Sequence, residues 1–305
     1  MQLGFVSAIL PDLSFDEVLD FAAETGFGCV EWMCWPPEKA NRRYAGVTHI
    51  DVVNLTGAEA VRIRKRVRDT GVAISGLGYY PNPLDPDPKH RRLVSTHLKK
   101  VIEAASRLET KIVNTFVGRD GSKMIDDNWP IFEQVWPDLV RHAERHGVQI
   151  GIENCPMLFS KNEWPGGHNM AHSPAIWKTM FEKIPSRAWG LNFDPSHLVW
   201  QWIDGPTALS AFGDRIVHFH AKDTRIDYPR LNEVGTFGVA GIDWHTPKLP
   251  GMGDVRWGPI FSALTDAGYN GPVCIEVEDR AYEKTLDDRK RSLRQSKRFL
   301  EQFVA

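Results

Sequence analysis

The chain has 305 residues, 42% apolar and 25% charged, with a formal net charge of −2 at neutral pH. That length suits one large barrel or two smaller domains, and its scattered Lys and Arg leave no basic face for a nucleic-acid partner. Met1-Gln-Leu-Gly-Phe5 lacks a basic n-region, no segment approaches a membrane span, and the four cysteines show no close paired spacing, so a cytoplasmic protein with reduced thiols is expected.

Strand and helix signals then alternate. Leu3 to Ala8 reads as a strand. Ser14 opens a helix, Glu17 completes its capping box, and Gly26 closes it. Gly28 to Met33 is the second strand, followed by a loop to about Leu55 rich in Pro, Arg, Trp and Tyr. Thr56 and Glu59 start a helix running to Gly71, and Val72 to Gly78 is the third strand. His90 to Glu109 is a long amphipathic helix with Leu93, His97, Val101 and Ala104 at helical spacing. Lys111 to Val117 is strand four, Pro130 to His146 a helix, and Val148 to Asn154 strand five. Ser173 and Pro174 open the next helix as cap and first helical residue. Strand six runs out into Asp194, where Pro195 stops it because proline cannot donate to the ladder. A helix near Thr207 to Gly213, strand seven from Arg215 to Asp223, a long loop to about Asp254 and a helix over Trp257 to Ala267 follow. Pro272 to Asp279 is strand eight, and Leu286 to Val304 a closing amphipathic helix.

Eight alternating strand–helix units predict an α/β fold, a single (β/α)8 TIM barrel over residues 1–305. An open doubly wound sheet would bring a glycine-rich turn after strand one, and Ala8-Ile-Leu-Pro-Asp-Leu13 is not one. The long loops follow strands two, five and seven, and therefore share one face, the face on which a barrel builds its site.

Four strand ends carry groups that a buried strand normally excludes. Strand five ends in Glu153, strand six in Asp194 with His197 three residues on, and strand eight carries Glu276 and Glu278 on one face. Strand seven places His218, His220 and Lys222 at period two, so all three face one way. Glu153, Asp194, His220 and Glu276 make a set of three carboxylates and one imidazole. Such a set favours Mn²⁺ or Mg²⁺, with Zn²⁺ and Co²⁺ also compatible. Buried acids without a cation cost too much for a purely structural salt-bridged core to be the better explanation.

The Ile-Glu-Asn (Ile152–Asn154), Asp-Pro-Ser-His (Asp194–His197), His-Phe-His (His218–His220) and Ile-Glu (Ile275–Glu276) strand ends, in this order, resemble the xylose isomerase-like barrel superfamily, which includes ketose 3-epimerases, inosose dehydratase, C-glycoside deglycosylase large subunits and endonuclease IV. The resemblance covers nearly the whole chain. It implies that Glu153, Asp194, His220 and Glu276 bind one divalent ion and that Glu153 and Glu276 act as acid and base. It also implies that His197 and Arg225 hold substrate oxygens. His218 and Trp35 complete the expected substrate contacts, since sugar faces pack on aromatic rings.

Departures narrow the choice. Asn154-Cys-Pro-Met-Leu158 lacks the lysine motif and second metal of xylose isomerase. The third and fourth strands offer none of the extra histidines of endonuclease IV, and Phe159 stands where ketose 3-epimerases carry a second glutamate. The loops Asn162–Asn169 and Leu249–Val255 are similar to those of members that cleave C-glycosides of 3-oxo-sugars with a small partner subunit. The leading expectation is a metal-dependent isomerase or epimerase of a small sugar or keto-sugar, with proton transfer through a metal-held ene-diolate. A lyase using the same first step is the alternative, and a non-enzymatic sugar binder a third. A homo-oligomer is expected, with a small partner subunit in the deglycosylase case.

Overall fold

The structure is a computed structural model, described here for residues 1–37, 45–157, 167–236 and 244–304. Ten strands run in chain order: β1 (Gln2–Val6), β2 (Cys29–Met33), β3 (Ala73–Gly78), β4 (Ile112–Thr115), β5 (Gln149–Glu153), β6 (Trp189–Phe193), β7 (Ile216–Ala221), β8 (Asp223–Ile226), β9 (His245–Lys248) and β10 (Pro272–Ile275). Eight of them close into a barrel in the order β1-β10-β7-β6-β5-β4-β3-β2. Every barrel pairing is parallel. Each barrel strand is followed by a helix, from Phe15–Thr25 after β1 to Leu286–Leu300 after β10, which is the predicted (β/α)8 arrangement.

The local signals act as expected. Ser14 and Glu17 form a complete capping box, and Gly26 ends that helix at φ 75, a left-handed turn that glycine adopts without a Cβ penalty. Thr56 caps Gly57–Thr70 by accepting from the Glu59 N–H. The strands are shorter at their C-terminal ends than the apolar runs suggest. Asp194 and Glu276 lie just past β6 and β10, because the chain turns at the barrel mouth once the ladder bonds stop.

Alternation along each strand sorts the side chains. On β6, Trp189, Leu191 and Phe193 face the helices: Trp189 stacks on Trp136 with centroids 5.7 Å apart, and Phe193 meets Trp177 edge-on. Trp32, Trp136, Trp177 and Trp189 are all fully buried core residues, so much of the chain's tryptophan goes into the seam between barrel and helices. Large rings in that seam bury much apolar area per residue. The inner face is left to Asn192 and Asp194.

The segment after β7, read from the sequence as an extended loop, contains structure. β8 and β9 pair as an antiparallel ribbon, Asp223 opposite Lys248, with the helix Tyr228–Val234 between them. Buried Asp223 holds this excursion down: it accepts from the N–H groups of Thr224, Gly251 and Val255 and from Trp257 Nε1. The loops after β2, β5 and β7 contain residues 38–44, 158–166 and 237–243. The sequence reading at Phe159 therefore lies outside the described residues.

Candidate metal centre

The predicted ligands come together. One donor atom each from Glu153, Asp194, His220 and Glu276 lies within 4.8 Å of all the others. His220 Nδ1 is 3.8 Å from Glu153 Oε1 and 3.6 Å from Glu276 Oε2. Backbone ties between strands fix these positions. Asn154 donates to the Asp194 carbonyl at 2.8 Å and accepts from the Asp194 N–H at 2.7 Å, clamping the ends of β5 and β6. Asn169, from the following loop, donates to the carbonyls of Glu153 and Cys155 and accepts from the N–H groups of Val117 and Gly118.

A buried layer orients the imidazole. His220 Nε2–H donates to Glu31 Oε2 at 2.7 Å, and the Tyr80 hydroxyl donates to the other Glu31 oxygen. This pairing orients the ring so that Nδ1 faces the carboxylates. Glu31, on β2, is fully buried. Gly78 makes room for it: a Cβ there would stand 2.6 Å from Glu31 Oε1 and 2.2 Å from Met33 Cε. The charges of His220 and His218 and the Tyr80 hydrogen bond hold the Glu31 carboxyl below its usual range against the opposing effect of burial.

Lys222 Nζ lies 2.7 Å from Glu276 Oε2 and 3.1 Å from both Asp194 Oδ2 and Glu278 Oε2. Burial would lower its pKa, but the surrounding carboxylates outweigh that and raise it well above the usual lysine value. The two glutamates are driven apart. Burial acts to raise Glu153, yet the neighbouring His197, His220 and Lys222 hold it well below the usual range. Burial, reinforced by the Glu153 and Glu278 charges, pushes Glu276 up to about 7 despite Lys222.

The donor set fits a divalent ion. His220 Nδ1 is buried without a hydrogen-bond partner, and so is Asp194 Oδ2, which faces Lys222 outside hydrogen-bond geometry. A lone imidazole nitrogen and a carboxylate oxygen aimed into one shared space are what an oxygen-rich cation site requires.

The remaining predicted residues divide. His197, on the short helix Ser196–Val199, reaches the cluster: its Nε2 is 3.3 Å from Asp194 Oδ2 and 3.6 Å from Glu153 Oε1. Trp35 is half-buried beside the mouth, edge-on to Tyr79 at 4.9 Å. The structure does not bring His218 or Arg225 to the convergent donors. His218 is enclosed one layer below His220, donating through Nδ1 to Asn192 Oδ1 at 2.9 Å, because period two along β7 stacks the two rings along the barrel axis. Arg225 is exposed on β8, between buried Thr224 and Ile226. Trp244 and Trp257 are buried, Trp244 against Trp200 and His245. Sequence reasoning gave no role to Glu31, Tyr80 or Lys222.

Comparison with known proteins agrees with this architecture. Over 302 residues the chain is 26% identical to uncharacterized protein YfiH of Bacillus subtilis strain 168, covering 92% of this chain and 93% of that one. It is 33% identical over 193 residues to inosose dehydratase of Clostridium perfringens strain 13, covering 62% of this chain and 61% of the enzyme, so this match spans under two thirds of each protein. Among solved structures, D-psicose 3-epimerase with D-tagatose from Clostridium cellulolyticum H10 superposes with a TM-score of 0.71 at 15% identity, covering 100% of this chain and 99% of that one. The IOLI protein with a bound zinc atom gives 0.71 at 17% identity, covering 100% and 98%. At those identities the likeness is one of fold. The profile of the Xylose isomerase-like TIM barrel family matches residues 19–303, and the chain belongs to that family.

Proposed function

We propose that the protein is a divalent-metal-dependent isomerase or epimerase of a small sugar or keto-sugar. The observation that carries this reading is the convergence of Glu153 and Glu276 on one imidazole at the barrel mouth. Two carboxyls that face one space can serve as the base and the acid of a proton transfer. Glu153 is suited to take a proton from the carbon beside a carbonyl, and Glu276 to return one. His197, with its buried Nε2 at the cluster edge, is placed to hold a substrate oxygen. Lys222 supplies a fixed positive charge beside Glu276. A metal held by Glu153, Asp194, His220 and Glu276 would act as a Lewis acid that acidifies the C–H next to the carbonyl. Mn²⁺ and Mg²⁺ suit the three carboxylates best, and the bound zinc of the IOLI protein keeps Zn²⁺ in view.

A lyase is the second reading, favoured by the matches to inosose dehydratases. It shares the first proton transfer and differs in expelling a group beta to the carbonyl. Turnover in D₂O with a ketose, an inosose and a 3-oxo-glycoside tests both. Deuterium at the reacting carbon of a recovered sugar is the expected result. A product lacking its leaving group moves the assignment to the lyase. Complete retention of a substrate deuterium label in H₂O, over many turnovers, overturns proton exchange through Glu153 and Glu276.

A further inference from the structure

Away from the mouth, the outer wall of helices carries a different convergence of donors. Glu103, on the helix Pro88–Arg107, and His142 and His146, on the helix Trp129–His146, each offer an atom within 4.8 Å of the others. Helix geometry explains the placement. Residues four apart share one face, so His142 and His146 stand one above the other, with ring centroids 4.4 Å apart. The two helices pack against each other, and their facing pairs repeat at the same spacing. Lys99 pairs with Asp138, and four residues further along each helix Glu103 Oε1 meets His142 Nε2 at 3.2 Å. The helix Trp129–His146 ends just before β5 begins, whereas Glu153 ends β5. His146 therefore lies at the end of the barrel opposite the mouth.

A plain ion pair accounts poorly for this cluster. It would need a charged His142 imidazole. Burial and the positive charges of His146, Lys99 and Arg145 instead hold His142 below its usual pKa, despite Glu103. A neutral imidazole keeps a lone pair for a metal. The second ring is held in place as well: His146 Nδ1–H donates to the His142 carbonyl at 2.8 Å, so in the neutral ring Nε2 is the nitrogen able to ligate. His146 also sits in the last turn of its helix, where the carbonyl end favours a cation. Arg145 lies 3.3 Å from His142 Nδ1, but it is exposed and can turn into solvent as an ion arrives. Two imidazoles and one carboxylate suit Zn²⁺, Ni²⁺ or Cu²⁺, in contrast to the oxygen-rich set at the mouth. Three protein ligands leave a further position for water.

We propose that Glu103, His142 and His146 form a divalent-metal site, for Zn²⁺ or Ni²⁺, that ties together the C-terminal ends of two neighbouring helices on the outer wall. Its effect is on stability. It shares no residue with the mouth, and it stands or falls apart from the reaction proposed above.

Zn²⁺ titration of the full-length Asp194→Asn variant, whose mouth set lacks one ligand, tests it by calorimetry and thermal unfolding. Zn²⁺ should bind and raise the unfolding midpoint by several degrees, as a ligand of the folded state alone must. Adding His146→Ala should remove one equivalent of Zn²⁺ and most of that rise, with little change in the metal-free midpoint. Adding Glu103→Gln instead, at an exposed position, should weaken the same binding event. His146→Ala alone, with the mouth intact, should leave Mn²⁺ binding unchanged. Equal Zn²⁺ uptake and equal midpoint rise with and without His146 overturn the site, and so does an Asp194→Asn variant that binds no Zn²⁺. Should His146→Ala fail to fold, Glu103→Gln decides, and unchanged Zn²⁺ affinity there overturns the site too.

Discussion

Asp194→Asn should lose most of its bound divalent metal and, with it, on the order of 10³-fold in turnover, since Lewis-acid stabilisation is worth several kcal/mol. The side chain has two separate tasks. Oδ1 accepts the Ser196 N–H at 2.8 Å and shapes the turn leaving β6, while Oδ2 faces the cluster. Asparagine can keep the first contact through its carbonyl oxygen, so the turn survives. The second position becomes an NH₂ that cannot ligate a cation and that faces the Lys222 ammonium, 3.1 Å from the replaced oxygen. The loss therefore falls on metal retention rather than on folding. Elemental analysis and circular dichroism of the purified variant separate the two. Full metal occupancy with wild-type turnover would remove Asp194 from the ligand set.

Glu31→Gln acts one step further from the ion. The carboxamide fills the same space beside Gly78, and its oxygen can still accept from His220 Nε2–H, but the negative charge behind the imidazole is gone. His220 becomes a poorer donor, and the amide NH₂ must face Tyr80, which now donates to the carboxylate. Loss of such an outer partner usually costs 10- to 100-fold in metal affinity, and a fall of about that size is expected here by calorimetric titration with Mn²⁺. Because Glu31 touches neither ion nor substrate in this arrangement, the wild-type rate should return when the variant is saturated with metal. Unchanged affinity in a folded variant would show that the Glu31–His220 pair serves the core alone.

These two residues show what could be read from the chain in advance. Asp194 alone reads equally as a carboxylate capping the next turn, and it is the repetition of the pattern at four strand ends that points to a shared site. Glu153, His220 and Glu276 are legible for the same reason, as polar ends of apolar runs. The barrel follows from the strict alternation of strand and helix signals. Glu31 carried a comparable signal, a charge inside the otherwise apolar Cys29–Met33, but it sits mid-strand. Its partners lie 49 and 189 residues away, a juxtaposition that only barrel closure creates. His218 illustrates the opposite error. Period two places it on the same side as His220, yet the pattern carries no depth, and depth separates a residue at the mouth from one sealed beneath it. The β8–β9 ribbon escaped notice because His245-Thr-Pro-Lys248 is short and contains a proline, and its register depends on the distant acceptor Asp223.

The lysine among the carboxylates bears on how an acidic pocket can fold. A pocket of three or four acids would be self-repelling until an ion arrived, and such a chain would depend on metal supply to fold. Lys222 ends that dependence by bringing a covalently attached cation into the same space, paired with Asp194, Glu276 and Glu278. The acidic pocket is therefore charge-compensated by the chain itself, unlike that of domains whose structural ion is part of their folding free energy.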